Sequence, residues 1–125
     1  MTANIFWVDD STIVTRLGAQ ALSSIGCTIT TANSVEEAIE ALPKLNPLPN
    51  LIISDFNMPG KTGLELVQYI KSHPPFANIP ILMLTAETTQ KLIEDARVMG
   101  VKGWIVKPVD DKILLSAVKK VLGIQ

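Results

Sequence analysis

Five polar side chains that could do chemistry stand at the ends of apolar runs. Asp9 and Asp10 follow Ile5–Val8, Asp55 follows Leu51–Ser54, Thr85 ends Ile79–Thr85, and Lys107 follows Gly103–Val106. Two carboxylates about 5 Å apart at an effective dielectric near 20 repel by ~3 kcal/mol, and a third makes this worse. Such a cluster must shift its pKa values, recruit a cation, or both. Oxygen ligands favour a hard ion, and Mg²⁺ is typically held by one or two carboxylates with waters and phosphate oxygens completing its shell. A carboxylate cluster with Mg²⁺ and one lysine suits an incoming phosphoryl group. Asp55 is a candidate nucleophile, because aspartate forms acyl phosphates. Lys107 and the cation would neutralise charge on the phosphoryl oxygens, the main task in a loose transition state. Local roles compete with this chemistry for each residue alone: Asp10 or Ser11 could cap a helix, Asp55 could form a turn before "NMPG", Thr85 could cap a helix, and Lys107 could be solvated. Those roles do not explain why all of these groups sit at strand ends.

The convergence depends on the elements. Ile5–Val8, Leu51–Ser54, Ile79–Thr85 and Gly103–Val106 read as nearly continuous apolar strands, the pattern of a parallel sheet covered on both faces. Cys27–Thr31 alternates and is expected at an edge. Helical stripes separate the strands. The first, Ile13, Val14, Leu17, Ala21, Leu22 and Ile25, stops at Gly26. The second, Val35, Ala38, Ile39 and Leu42, opens with the Ser34/Glu37 capping-box spacing and halts at Pro43. A third carries Leu64, Val67 and Ile70. A fourth carries Leu92, Ile93, Ala96 and Met99 and closes at Gly100, and a fifth runs from Ile113 to Leu122 and ends at Gly123. Alternating strands and helices predict an α/β fold, a doubly wound five-stranded parallel sheet with five helices. Of the few orders that right-handed crossovers leave, the flavodoxin-like 2-1-3-4-5 is taken over by analogy, because it puts the alternating strand at an edge and the first and third strands in the middle. Ligands in such sheets bind beyond the carboxyl ends of the strands at the switch point, between strands one and three, where the acidic residues fall.

Composition limits the alternatives. A chain of 125 residues that is 47% hydrophobic suffices for one domain. A formal charge of −1 gives no basic footprint for nucleic acid. The lone Cys27 forms no internal disulfide and points to a reducing compartment. No apolar run approaches the ~20 residues that span a bilayer, and no signal peptide is evident, so a cytoplasmic protein away from membranes is expected. His73, the only histidine, precedes Pro74 and Pro75 and reads as a surface residue.

Four motifs, "VDDS", "SDFNMPGKTGLEL", "PILMLTAE" and "GVKGWIVKP", occur in order and with matching spacing. Together they resemble the receiver domain of two-component response regulators, specifically the single-domain chemotaxis (CheY-like) type. The resemblance covers residues 1–125 as one receiver domain. It implies that Asp55 accepts a phosphoryl group from a phosphohistidine on a histidine kinase or phosphotransfer protein. It also implies that Asp10, Asp55 and the Asn57 backbone carbonyl ligate Mg²⁺, with Asp9 acting mainly through bound water. Lys107 would pair with phosphoryl oxygens, oriented by a cis peptide to Pro108. Thr85 would hydrogen-bond a phosphoryl oxygen, and Ala86 would stay small to admit donors. Asn57 and Glu87 would tune self-dephosphorylation, implying a short-lived phosphoryl state. Trp104 departs from the tyrosine or phenylalanine of the common pattern at a position that couples the site to the surface of the fourth helix, fifth strand and fifth helix; switching and static packing both remain open for it. Trp7, bulky just before the acidic pair, reads as core packing.

The resemblance implies a monomeric signalling module rather than an enzyme, one that acts on a downstream target protein, with chemotaxis or motility as a candidate pathway. An aspartyl-nucleophile phosphatase is the alternative, but its general acid would fall where Asn57 stands. A receiver cut from a longer regulator and an inert scaffold are further alternatives; the complete acidic set and Lys107 speak against the last. A nucleotide-binding domain would need a glycine-rich loop where "DDSTIV" stands.

Overall fold

The computed structural model describes residues 3–58, 60, 62–86 and 90–123. In chain order the elements are β1 (Ala3–Val8), α1 (Thr12–Ser23), β2 (Cys27–Ala32), α2 (Val35–Ala41), β3 (Leu51–Asp55), α3 (Gly63–Ser72), β4 (Ile81–Thr85), α4 (Gln90–Val98), β5 (Gly103–Val106) and α5 (Asp111–Leu122). A single 3₁₀ turn, Leu42–Lys44, follows α2 and takes Pro43 into its first positions. The strands form one parallel sheet in the order β2-β1-β3-β4-β5, as expected from the sequence.

The apolar strands are apolar throughout because both faces are covered. In β1, Phe6 and Val8 face a core shared with Val35 and Ala38 of α2 and Leu66, Val67 and Ile70 of α3. Ile5 and Trp7 face the opposite core, with Leu22 of α1 and Leu114 and Val118 of α5. The period of two in a strand thus splits one continuous run between two layers. The sheet departs from the sequence pattern at β5, where only Ile105 is buried and Val106 is 48% exposed. Its neighbour on one side only, β4, leaves the other edge open.

Element ends follow local chemistry. Ser34 Oγ accepts from Glu37 N at 3.0 Å to cap α2, and Asp110 Oδ1 accepts from Lys112 N at 2.8 Å and Ile113 N at 3.3 Å to cap α5. At the end of α4, Gly100 takes φ +93, and the amides of Gly100 and Val101 reach back to Arg97 O and Ala96 O, the paired bonds of a Schellman ending. The fourth strand starts at Ile81, two residues later than Ile79, because Pro80 has no amide to give and Ile79 N instead closes a turn onto Phe76 O.

Trp7 is fully buried, and its indole lies against α1 at Gly18, where a Cβ would fall on the Cη2 and Cζ3 atoms of the ring. Only glycine fits there. The contact accepts two unfavourable features, a helix-interior glycine that costs about 1 kcal/mol relative to alanine and a buried indole Nε1 with no hydrogen-bond partner, a loss of about 1–3 kcal/mol. Burial of the large ring offsets them. Among the described residues no helix is long and apolar enough to cross a membrane.

The α5 cap is a direct test of these assignments. Asp110→Ala should lower stability by about 1 kcal/mol, read as a lower urea midpoint with an unchanged slope.

Candidate phosphoacceptor site

At the carboxyl end of the sheet, β1 and β3 lie side by side with Val8 opposite Ser54. Each strand ends in an acidic residue one position further on, so the parallel register brings Asp9 and Asp55 together. Carboxylate oxygens of Asp9, Asp10 and Asp55 all lie within 4.8 Å of one another. Asp9 and Asp55 are buried, 1% and 3% exposed, whereas Asp10 faces solvent.

The turn from β1 into α1 sorts the roles that the sequence left open. Ser11, not Asp10, caps α1: its Oγ accepts from Val14 N at 3.3 Å, and its carbonyl accepts from Thr15 Oγ1 at 2.8 Å. Ser11 N in turn donates to Asp9 Oδ1 at 2.9 Å, and Asp9 N is tied to Ala32 O at 3.0 Å. The Asp10 carboxylate has no capping duty.

Across the site, Lys107 Nζ lies 3.1 Å from Asp55 Oδ2 and 3.5 Å from Asp9 Oδ2. The lysine is placed by its own backbone, since Lys107 N donates to Thr85 O at 2.8 Å, and the Lys107–Pro108 peptide is cis, as expected. One ammonium therefore faces two buried carboxylates, and Asp9 Oδ2 still accepts no hydrogen bond. Burial pushes the Asp55 carboxyl above its ordinary value; the Lys107 hydrogen bond pulls it back, the Asp9 charge pushes it up again, and Lys107's charge and the Asn57 amide, 3.3 Å from Oδ1, pull it down. Orphaned acceptor capacity on a buried carboxylate beside two others is a donor set that fits a hard divalent cation.

The remaining candidates fall around this centre. Thr85 is buried at the end of β4, and Ala86 beside it is exposed. Asn57 is exposed on the loop after β3. Glu87 lies outside the described residues. Trp104 is partly buried against the α2/α3 core, its Nε1 enclosed without a partner, and it borders grooves toward both α4 and α5. Pro108 is exposed, and with Lys107 it lines a hollow against Val14 and Leu17 of α1. His73 is exposed and stacks on Tyr69, 4.0 Å between ring centroids. Sequence reasoning missed Gly63: a Cβ there would stand 2.5 Å from Asp55 O and 3.0 Å from Phe56 Cα, so α3 reaches the Asp55 backbone only because this residue has no side chain. Gly63 N also donates to Phe56 O at 2.9 Å. A glycine at the head of a helix was the available signal.

A doubly wound parallel sheet carrying an acidic trio and a lysine at its switch point, in place of a glycine-rich phosphate loop, defines a receiver-type domain. The description "Response regulator receiver domain" matches residues 5–119, and the chain belongs to that family as a CheY-like receiver. It is 31% identical to the chemotaxis protein CheY of Pseudomonas aeruginosa, over 94% of each chain, and 36% identical to chemotaxis protein CheY1 of Helicobacter pylori strain 26695, over 93% of this chain and 94% of that one. The solved structure of the chemotaxis response regulator CheY4 of Vibrio cholerae superposes with a TM-score of 0.89 at 34% identity, covering 98% of this chain and 100% of the other.

The raised Asp55 carboxyl sets a pH dependence of stability. A proton is held more tightly in the folded state than in the unfolded one, so the ionised form costs stability as pH rises from the unfolded value of 3.8 through the higher folded value. Below 3.8 both states are protonated and the cost is absent. In metal-free buffer Asp55→Asn should therefore resist urea better than the wild type at about pH 7, and the advantage should vanish at about pH 3.

Proposed function

We propose that this chain accepts a phosphoryl group on Asp55 from a phosphohistidine and uses the modified state to control binding of a target protein. The observation that carries this reading is the buried Asp55 carboxylate held between one lysine and two further carboxylates at the open end of the sheet. Receiver domains bind Mg²⁺ at an acidic pocket, and the Asp9–Asp10–Asp55 group matches one. Asp10, Asp55 and the Asn57 carbonyl would hold the ion, with Asp9 acting through water. The bound ion supplies positive charge to the phosphoryl oxygens during transfer.

The chain's own residues do the rest. An Asp55 oxygen attacks phosphorus as the phosphorus–nitrogen bond breaks, and the electron pair leaves on the donor imidazole, which is protonated from solvent. Lys107 shifts from neutralising two carboxylates to neutralising a phosphoryl oxygen, a transfer its 3.1 Å contact with Asp55 already prepares. Thr85 donates its hydroxyl to a second phosphoryl oxygen, and exposed Ala86 leaves the approach open. Trp104, between the α4 and α5 grooves, is the residue through which movement at Thr85 reaches the surface of α4, β5 and α5. Asn57, on the loop after β3, and Glu87, by the family resemblance, tune hydrolysis of the aspartyl phosphate, so the chain ends its own signal without being a phosphatase toward other substrates. The relatives' names make a chemotaxis or motility target the first candidate for the output.

The test is mass spectrometry of the intact protein after incubation with Mg²⁺ and acetyl phosphate. One added phosphoryl group is expected, absent with EDTA and absent in Asp55→Asn; turnover of phosphomonoesters that survives Asp55→Asn would favour a phosphatase and overturn this reading. After removal of the donor, the added mass should be lost within minutes, and an adduct stable for many hours would remove the self-dephosphorylation role of Asn57 and Glu87.

A further inference from the structure

The contact between Trp7 and Gly18 has a geometry that reaches the acidic site. Trp7 stands two residues before Asp9 on β1, and Gly18 lies near the middle of α1, so the contact closes a strand–turn–helix loop whose turn is Asp9, Asp10 and Ser11. Asp9 has fastenings of its own, to Ala32 O through its amide and to Ser11 N through its carboxylate. Asp10 is exposed, with no role in the helix cap, and its position follows from the flanking backbone. On the helix side that backbone is Ser11, which is locked to the first turn of α1 through Val14 N and Thr15 Oγ1. The separation of α1 from β1 therefore sets where Asp10 stands relative to Asp9 and Asp55. That separation is fixed by the indole resting on a helix backbone with no Cβ.

We propose that Trp7 and Gly18 are positioning residues for the Asp10 metal ligand, acting as a spacer of matched size under the β1–α1 turn. The inference rests on the Mg²⁺ reading given above. An oversized spacer, as in Gly18→Ala, tilts α1 off the strand and carries the Ser11 end of the turn outward. An undersized one, as in Trp7→Leu, lets the helix settle inward. Either moves Asp10 away from the other two carboxylates. Because the two defects have opposite sign, combining them restores the spacing.

The experiment is calorimetric titration of the 125-residue chain with MgCl₂ alone, with urea unfolding of each protein measured in parallel so that affinity refers to folded molecules. Gly18→Ala and Trp7→Leu should each weaken Mg²⁺ binding by about 10-fold, the scale on which removing an outer-shell support weakens a metal site. The double variant should bind within about 3-fold of the wild type, a coupling expected of groups in direct contact. Trp7→Phe, which keeps an aromatic ring and removes the second one, should fall between wild type and Trp7→Leu and serves if Gly18→Ala does not fold. Variants that lose stability yet bind Mg²⁺ as tightly as the wild type would overturn the positioning role and leave the metal site standing. Absence of Mg²⁺ binding by the wild type itself would overturn the metal reading and the positioning role with it.

Discussion

Repulsion among three carboxylates is the interaction around which this molecule is arranged. Asp9 and Asp55 are buried next to each other with the Lys107 ammonium between them, and Asp10 adds a third negative group within 4.8 Å. Like charges at this spacing in a partly dehydrated pocket persist only if the surrounding structure is too stiff to relax. The stiffness comes from the three central strands, whose side chains are almost entirely buried on both faces. A flexible scaffold would let the carboxylates separate, and the negative potential they build up together would fall with the separation.

The polar centre and the apolar core are thus one construction. Parallel register places the strand ends at a common level, and the chain leaves the sheet there with its charged residues. The supporting bonds are mostly backbone bonds, such as Lys107 N to Thr85 O and Phe56 N to Leu84 O, which do not depend on protonation. At the far edge of the sheet, Trp104 packs against the α2/α3 core from a strand that is only partly covered.

Much of this was legible in the residues. Period-two and period-3.6 patterning identified five strands and five helices, and the alternation in Cys27–Thr31 identified an edge strand, which runs one residue further, to Ala32. The errors are local: Pro80 shortened the fourth strand, and the apolar run of β5 concealed its exposure because a run of side chains carries no record of what covers it. The acidic pair, Asp55, Thr85 and Lys107 were recognisable because strand ends are visible in sequence and the parallel order brings them to one edge. Gly18 was not recognised as part of the design, since a residue without a side chain gives no chemical signal, and Gly63 left only its place at the head of a helix as a clue. Trp7 was legible as core packing, which its full burial bears out, but not as packing against a glycine of α1.

The sequence by itself determined which elements form and which charged groups stand at strand ends, because these follow from periodicity; with the flavodoxin-like order taken by analogy, it also placed those groups at one edge of the sheet. Only the tertiary structure decided that Ser11 rather than Asp10 caps α1, that Lys107 bridges Asp9 and Asp55, and that the Trp7 ring occupies the place of a Gly18 side chain. These are matters of distance between residues far apart in the chain or of competition between neighbours for one amide. Pattern fixes which face a side chain takes, whereas packing fixes the last ångström that separates a repulsive cluster from a site.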